Sequence, residues 1–329
     1  MIIICSAANY TTKNHYFGRN FDYEISYNEQ VMITPRNYPL KFRKINDITT
    51  THHAIIGISA GINEYPLYYD ATNEKGLSMA GLNFAGYTKY HEYDSNKLNI
   101  TPFEFIPYIL SKYESVDDVK EALENINLVN INYSDKLPLS PLHWIISDSE
   151  SSITVECLKD ELKVYDNPLG ILTNNPPFDL QMFNLNNYRR VSNKTPSNDF
   201  LKDYNLDVYS RGMGGMGIPG DLSSMSRFVK LAFTLTNSLS DDSEESSVNQ
   251  FFHILASVEQ QNGCTFIESP DKYEYTIYSS CVNTSCGIYY YRTYGNSQIN
   301  AVNMHNENLD TDKLITYPLV NKEKFNFQN

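Results

Sequence analysis

Apolar and aromatic residues in the first third of the chain occur in short runs separated by polar turn residues. One run extends from Cys5 to Tyr10, the segment Thr12-Lys13-Asn14 breaks it, and His15 to Tyr23 resumes it. Such alternation predicts two antiparallel strands joined as a hairpin. Further strands are predicted at 31–34, 54–58, 67–72, 77–84, 142–146, 153–158, 162–165, 170–173, 275–281, 288–294 and 299–304.

Other segments have the features of helices. Thr101-Pro102 places a capping residue before a proline, which the first helical turn tolerates. Ser115 precedes apolar residues spaced by three or four positions as far as Ile126. The acidic, Ser-rich segment 241–247 is predicted as a solvated loop. Along the chain, predicted strands are followed by helices and then by strands again. This order predicts packed sheets with helices on the outside. The predicted helices span 102–113, 116–126, 224–236 and 247–260.

Composition narrows the class of protein. The chain has 329 residues, of which 41% are hydrophobic, and 26 tyrosines, which favour half-buried sheet surfaces. Its net charge of -13 argues against nucleic acid or anionic lipid as a partner. No apolar run approaches the ~18 residues that a membrane span needs. The start lacks the basic region of a secretory signal, so we expect a cytoplasmic protein.

Two glycine motifs resemble known sites but lack their context. Gly57-Ile58-Ser59-Ala60-Gly61 has the spacing of a nucleophile elbow, which needs a helix after the serine, yet the following residues have no helical pattern. Ser59 is therefore predicted to lie in a strand that ends in small residues. Gly212 to Gly217 lacks the flanking strand and helix of a nucleotide site and is predicted to be a tight loop.

The five cysteines are an odd number, which fits free thiols in a reducing compartment. Cys281 and Cys286 lack the second close pair of a zinc site and are predicted as core or hairpin thiols. His143 is predicted as a core histidine. A Cys–His catalytic pair stays an alternative, because such partners need to meet only in space.

Cys5 is the cysteine with the most informative position. It begins the first predicted strand, and the predicted hairpin brings Arg19 and Asp22 of the second strand near it. A positively charged side chain beside a cysteine favours the reactive thiolate, so Cys5 is a candidate nucleophile. The alternative is that Cys5 is a small buried hydrophobic residue, as free cysteines commonly are.

The sequence around these residues resembles that of the choloylglycine hydrolase family, which contains bile salt hydrolases and penicillin V acylases. Within the family, the sequence most closely resembles the bile salt hydrolases of Gram-positive gut bacteria. The resemblance extends from Cys5 to about Tyr317. The segments that carry it are 16–22 (YFGRNFD), 34–38 (TPRNY), 73–77 (NEKGL), 80–84 (AGLNF), 172–174 (LTN), 219–221 (PGD) and 226–228 (SRF).

The resemblance implies the αββα sandwich of N-terminal-nucleophile hydrolases, with two antiparallel sheets between helical layers. It implies a single domain over residues 5–329, a homotetramer, conjugated bile salts as substrate, and chemistry without a metal or cofactor. Cys5 matches the nucleophile, and Arg19 and Asp22 lie beside it. Asn83, through its backbone N–H, and Asn174, through its side chain, match the oxyanion donors. The second arginine of the family's site matches Arg227.

One departure from the family concerns the start of the chain. In most relatives the cysteine follows the initiator Met directly, whereas Ile2-Ile3-Ile4 intervene here. The mechanism needs a free α-amine on Cys5, because that amine takes the thiol proton. We therefore expect residues 1–4 to be a propeptide that self-cleavage removes.

The substrate is predicted from Asn83, because bile salt hydrolases tend to carry Asn at this position and penicillin V acylases tend to carry Tyr. Penicillin V acylase or acylhomoserine lactone acylase activity is the alternative within the family. A non-catalytic binding protein and a serine hydrolase that uses Ser59 are alternatives of other classes. The residues predicted to line the steroid pocket are Phe21, Tyr27, Ile58 and Tyr65.

Overall fold

The computed structural model of the chain describes residues 5–45, 49–62, 65–135, 137–269 and 271–329. The expected propeptide, residues 1–4, lies outside the described residues. The strands are β1 (Cys5–Thr11), β2 (His15–Tyr23), β3 (Gln30–Thr34), β4 (Ile55–Ile62), β5 (Tyr65–Asn73), β6 (Ser78–Asn83), β7 (Leu98–Ile100), β8 (Ile126–Leu128), β9 (Leu142–Ser147), β10 (Ser152–Cys157), β11 (Leu162–Asp166), β12 (Ile171–Leu172), β13 (Thr265–Ile267), β14 (Lys272–Asn283), β15 (Ile288–Thr293), β16 (Asn296–Asn303) and β17 (Ile315–Pro318). The α-helices are α1 (Phe105–Lys112), α2 (Val116–Leu123), α3 (Phe178–Asn184), α4 (Ser224–Asn237) and α5 (Glu244–Ala256).

Most strands belong to two large antiparallel sheets. The first sheet has the order β12-β1-β2-β14-β15-β16, with β13 added to β14. The second has the order β11-β10-β9-β6-β5-β4-β3-β17. The predicted hairpin of β1 and β2 is confirmed, and its register pairs Cys5 with Phe21 and Ala7 with Arg19.

The two sheets pack face to face, and helices cover their outer faces. Helices α4 and α5 lie on the first sheet, and α1 and α2 lie on the second. Every residue of β2 is buried because the strand has the second sheet on one side and helices on the other. The αββα sandwich expected from the sequence is therefore confirmed.

Gly18 in β2 shows how closely the strands of the first sheet approach each other. A Cβ atom at this position would lie 2.0 Å from the carbonyl oxygen of Ser280 in β14. Any larger residue would push the two strands apart. Gly18 therefore keeps the strand that carries Arg19 and Asp22 in register with its neighbour.

Several predicted boundaries differ from the structure, and two of the differences have a clear physical reason. Ile126 continues the helical spacing of α2 but belongs to β8, because parallel pairing with β7 outweighs the local pattern. The acidic segment 241–247 is not only a loop, since α5 begins at Glu244. The hydroxyl of Ser243 accepts the Ser246 N–H at 3.2 Å and caps this helix. Carboxylates in the first turn favour the helix because its N-terminus is the positive end of the dipole.

Candidate active site

The candidate site forms where β1 begins. Cys5 is buried, and its thiol donates to the carbonyl oxygen of Asp22 over 4.0 Å. Neighbouring side chains of a strand point to opposite faces, so Arg19 and Asp22, three positions apart in β2, approach Cys5 from opposite sides of the sheet. The hairpin thus brings together the three residues that the sequence predicted to meet.

Arg19 lies between the two sheets and is fully buried. Its Nη1 donates to the carbonyl oxygens of Gly81 at 2.6 Å and Tyr69 at 3.1 Å, on the facing sheet. Nη2 has no hydrogen-bond partner among the described residues. Burial works to lower the pKa of this guanidinium, but the nearby Cys5 thiol and other acidic groups, among them Asp70, outweigh burial and raise it. Arg19 therefore stays charged beside the thiol.

Asp22 is buried on the other side of the sheet. Its Oδ1 accepts the hydroxyl of Thr276 at 2.5 Å, and its Oδ2 has no partner within the described parts of the chain. Burial raises the pKa of this carboxyl to about 7, while the charge of Arg227 and the Thr276 hydrogen bond oppose the rise. The site thus contains a carboxyl group with one free acceptor oxygen.

Asn174 follows β12 and joins the start of β1 to the second sheet. Its Oδ1 accepts the backbone N–H of Cys5 at 2.7 Å. Its Nδ2 donates to the carbonyl oxygen of Asn83, the last residue of β6, at 2.8 Å. Asn83 therefore contacts Asn174 through its carbonyl group, and the oxyanion role of its N–H stays a prediction.

Arg227 lies in the first turn of α4 and is buried. Its Nη1 donates to the carbonyl oxygen of Cys5 at 2.6 Å and to the hydroxyl of Ser6 at 2.5 Å. Its Nη2 donates to Oδ1 of Asn174 at 2.7 Å. Burial lowers the pKa of this arginine, and the charge of Asp22 counteracts burial. Arg227 thus holds both Cys5 and the side chain that accepts from the Cys5 nitrogen.

The thiol of Cys5 has a raised pKa because the group is buried, and the positive charge of Arg19 opposes this rise. A buried thiol is a poor nucleophile unless a base removes its proton. Among the groups described above, the Cys5 nitrogen is the candidate base, since it belongs to the same residue and Asn174 fixes its orientation. In the uncleaved chain this nitrogen is an amide and has no basic lone pair.

The four predicted pocket residues lie in different surroundings. Phe21 pairs with Cys5 across the hairpin and stacks on Tyr278 with ring centroids 5.2 Å apart. Tyr27 is 39% exposed, and its hydroxyl lies 3.2 Å from that of Tyr23. Ile58 is fully buried in the core between the sheets. Tyr65 begins β5, with its ring centroid 6.5 Å from that of Phe103. Their contact with substrate stays a prediction.

The structure also distinguishes between the catalytic and the structural roles considered for Ser59 and His143. Ser59 lies buried inside β4, which is followed by β5 instead of a helix, so it lacks the geometry of a nucleophile elbow. His143 has its ring nitrogens 3.2 Å from Oε1 of Glu156 and 2.8 Å from the carbonyl oxygen of Thr173. These contacts make it a core histidine, as predicted.

Sequence reasoning missed three hydroxyl groups that complete the site. Ser6 accepts from Arg227, Thr276 donates to Asp22, and Ser224 accepts the backbone N–H of Asn174 at 2.9 Å. Ser6 adjoins Cys5, and this adjacency was the one available signal. Thr276 and Ser224 lie on distant elements, and no local pattern marks them.

The sandwich and the cysteine at its first described strand define the class of N-terminal-nucleophile hydrolases. The chain belongs to the linear amide C–N hydrolases of the choloylglycine hydrolase family, whose model matches residues 5–317.

Individual relatives agree with this assignment. The chain is 61% identical over 322 residues to a bile salt hydrolase/transferase of Lactiplantibacillus plantarum, covering 98% of this chain and 99% of the relative. It is 40% identical to a bile salt hydrolase/transferase of Clostridium perfringens, covering 95% and 96%. A crystal structure of a mutant conjugated bile acid hydrolase from Clostridium perfringens superposes with a TM-score of 0.91 at 39% identity, covering 99% of this chain and 100% of that one.

A more distant structure shares the fold alone. Penicillin V acylase from Agrobacterium tumefaciens superposes with a TM-score of 0.75 at 17% identity, covering 95% of this chain and 91% of that one. Within the described part of the chain, the helices are too short or too polar to cross a bilayer.

Proposed function

We propose that this chain hydrolyses the amide bond of glycine- or taurine-conjugated bile salts, with Cys5 as the nucleophile. The observation that carries the proposal is the 61% identity, over 98% of this chain, to a protein named a bile salt hydrolase/transferase. The hydrogen bonds that hold the Cys5 nitrogen and carbonyl oxygen support it, because they fix the backbone of the residue that carries both the thiol and the base.

The reaction begins once residues 1–4 have been removed. We propose that the Cys5 thiol attacks the carbonyl carbon of Ile4, that the C–N bond between Ile4 and Cys5 breaks as the nitrogen takes the thiol proton, and that water hydrolyses the resulting thioester, which releases residues 1–4 and regenerates the thiol. The new α-amine has an ordinary pKa near ~8 and takes the thiol proton. Oδ2 of Asp22 is free to accept from the resulting ammonium. Arg19 favours the thiolate by its charge. The thiolate then attacks the amide carbon, and an Sγ–C bond forms.

The oxyanion that results needs hydrogen-bond donors. Nδ2 of Asn174 has two hydrogens and uses one of them toward Asn83, so the second is available. One such donor is worth about 3 kcal/mol to the transition state. The ammonium returns its proton to the leaving nitrogen, the C–N bond breaks, and glycine or taurine departs. Water hydrolyses the cholyl thioester and regenerates the thiol.

Transfer to an amine is a second candidate activity. Two relatives are named hydrolase/transferase. The thioester is the branch point, because an amino acid can attack its carbonyl carbon in place of water and form a new amide. The two outcomes are distinguished by incubating a conjugated bile salt with an excess of a second amino acid and measuring the ratio of free to newly conjugated bile acid.

We also propose a cytoplasmic homotetramer. The five cysteines are free thiols, which fits a reducing compartment. Exposed apolar side chains cluster in the segment between α3 and α4 and supply surface for contact between copies. Light scattering coupled to gel filtration measures the mass in solution, and a monomer would refute the tetramer. The exposed apolar side chains between α3 and α4 include Phe200, Leu201, Tyr204, Leu206, Val208, Tyr209 and Met216.

Release of taurine and glycine from conjugated bile salts tests the proposed function. Wild type and Ser59→Ala should be active, whereas Cys5→Ala should be inactive. Penicillin V hydrolysis, measured alongside, ranks the two acylase activities. Activity that survives Cys5→Ala and is lost in Ser59→Ala would identify a serine hydrolase. Correctly folded wild type that binds bile salts without cleaving either substrate would identify a binding protein.

A further inference from the structure

A buried pair of ionisable side chains lies next to the candidate site but has no place in the chemistry above. His143 in β9 and Glu156 in β10 are directly opposite each other in the second sheet, and neither is accessible to solvent. Nδ1 of His143 is 3.2 Å from Oε1 of Glu156. Burying two such groups is costly, so their other contacts indicate what the pair does.

His143 holds the residue before Asn174. Its Nε2 is 2.8 Å from the carbonyl oxygen of Thr173. A carbonyl oxygen can only accept, so Nε2 must carry the hydrogen. The ring of Phe84 stacks on the imidazole, with centroids 4.3 Å apart and planes 4° from parallel. This stacking fixes the plane of the imidazole and therefore the direction of the Nε2–H bond.

Glu156 holds the other end of the same segment. Its Oε1 accepts the backbone N–H of Phe178, the first residue of α3, at 2.9 Å. The segment from Thr173 to Phe178 is therefore attached at both ends to one buried pair. Asn174 lies inside it, directly after the residue that His143 holds.

The opposite side of the segment is held by side chains of α3 and α4. The hydroxyl of Ser224 accepts the backbone N–H of Asn174 at 2.9 Å, and Nε2 of Gln181 donates to the carbonyl oxygen of Asn174 at 3.2 Å. These contacts fix the backbone of Asn174 against the helices. The His143–Glu156 pair attaches this segment to the second sheet, which also contains Asn83.

We propose that His143 and Glu156 are positioning residues that hold Asn174 in register with Cys5 and Asn83. The inference rests on the proposed function, because it assigns the pair a role in the same reaction. Asn174 must accept from the Cys5 nitrogen and donate to the oxyanion at once, and a displacement of ~1 Å of such a group can cost about 100-fold in rate. Both side chains of the pair are fully buried and expose no surface to a ligand, so we expect the loss in kcat and not in KM.

The chain offers a matched control in His91. Its Nε2 lies 2.9 Å from the carbonyl oxygen of Leu158, and its Nδ1 lies 3.2 Å from Oδ1 of Asn127. It also approaches Cys157, whose side chain points to the opposite face of the sheet from that of Glu156. His91 therefore holds a backbone carbonyl as His143 does, but on the face away from the candidate site.

The test compares His143→Leu, His143→Gln and His91→Leu with wild type in taurine release, together with their melting temperatures. His143→Leu should lower kcat about 100-fold and leave KM within about threefold. His143→Gln, whose amide can donate to Thr173, should recover kcat to within about tenfold of wild type. His91→Leu should keep kcat within about twofold of wild type, even where its melting temperature falls as far as that of His143→Leu.

A double variant tests whether the two residues act as a unit. Glu156→Leu combined with His143→Leu should lower kcat little more than either change alone.

Equal loss of kcat in His143→Leu and His91→Leu would overturn the proposal, as would a His143→Gln variant no better than His143→Leu. Should His143→Leu fail to fold, His143→Met takes its place, because methionine also lacks a donor for the Thr173 carbonyl oxygen. A kcat of His143→Met within about twofold of wild type would then contradict the role. Wild type that cleaves penicillin V but no bile salt would refute the proposed function alone, and the same comparison then proceeds with penicillin V.

Discussion

The backbone nitrogen of Cys5 donates a 2.7 Å hydrogen bond to Oδ1 of Asn174. This bond is compatible with an amide nitrogen and with a terminal amine, since both carry a hydrogen. The chain before cleavage and the enzyme after cleavage can therefore hold the nitrogen in the same place. The sulfur and the nitrogen belong to one residue, so orienting the nitrogen also restricts where the sulfur can lie.

Replacing Asn174 separates its two roles. Asn174→Asp keeps an oxygen for the Cys5 nitrogen but removes the Nδ2 donor, so kcat should fall by about 10²–10³ while residues 1–4 are still removed. Steady-state kinetics measures the first effect, and intact mass the second. Asn186→Asp, at an exposed position, should leave both unchanged. A kcat near that of wild type in Asn174→Asp would exclude Nδ2 as an oxyanion donor.

Arg19 should control the acidity of the Cys5 thiol. Its positive charge lowers the thiol pKa against the effect of burial. Arg19→Gln removes that charge, so the pKa should rise by about 1 unit or more. The measurement is the rate of Cys5 alkylation by iodoacetamide as a function of pH, read from the mass of the Cys5 peptide. A curve that does not move, or that moves to lower pH, would show that Arg19 does not act through the thiolate.

Arg227 should contribute to stability as well as to catalysis. Its guanidinium donates to four buried or partly buried acceptors: the carbonyl oxygens of Leu222 and Cys5, Oγ of Ser6 and Oδ1 of Asn174. Arg227→Met removes these four hydrogen bonds, although Oδ1 of Asn174 keeps the Cys5 N–H as a donor. Each buried acceptor that is left unsatisfied costs about 1–3 kcal/mol. Urea denaturation should therefore show a loss of at least about 3 kcal/mol. Arg190→Met, at an exposed position, should change stability by less than about 0.5 kcal/mol. Equal losses in the two variants would contradict this account of Arg227.

His15 makes stability depend on pH at the far end of β1. Burial lowers its pKa to about 4, although the charge of Asp148 opposes the shift. Below the ordinary pKa of 6.5 the unfolded chain binds a proton that the folded chain refuses. The contribution is therefore fully present above pH 6.5 and is lost as the pH falls toward 4, by on the order of 3 kcal/mol.

His15→Gln should remove this dependence. The difference in free energy of unfolding between wild type and His15→Gln is measured at pH 7 and at pH 4.5, so that other titrating groups cancel. Wild type should lose more stability than the variant on acidification. Parallel losses would indicate that His15 is protonated in the folded protein.

Local patterns predicted the elements that lie near each other in the chain. The hairpin of β1 and β2 was predicted almost to the residue, because its alternation and its turn are contiguous. Four short strands, β7, β8, β13 and β17, were missed. The residues of β17 pair with β3 at the other end of the chain, and a strand of this length has too little pattern of its own.

The residues of the candidate site also differ in whether the local sequence pattern could predict them. The position of Arg19 and Asp22 near Cys5 followed from the hairpin, since the register alone brings them together. Asn174 and Arg227 came from resemblance to a family, because β12 and α4 meet β1 only through tertiary packing. Thr276 had no signal at all, since its hydroxyl reaches Asp22 from a strand that pairs with β2 across most of the chain.

The central claim is that the thiol and the base belong to the same residue, Cys5. Mass spectrometry of the intact purified enzyme, fractionated by activity, tests it most directly. Active molecules should have lost residues 1–4 and should begin with Cys5. Molecules that release taurine or glycine at the wild-type rate while still carrying Met1 to Ile4 would contradict the claim, because an acylated nitrogen cannot accept the thiol proton.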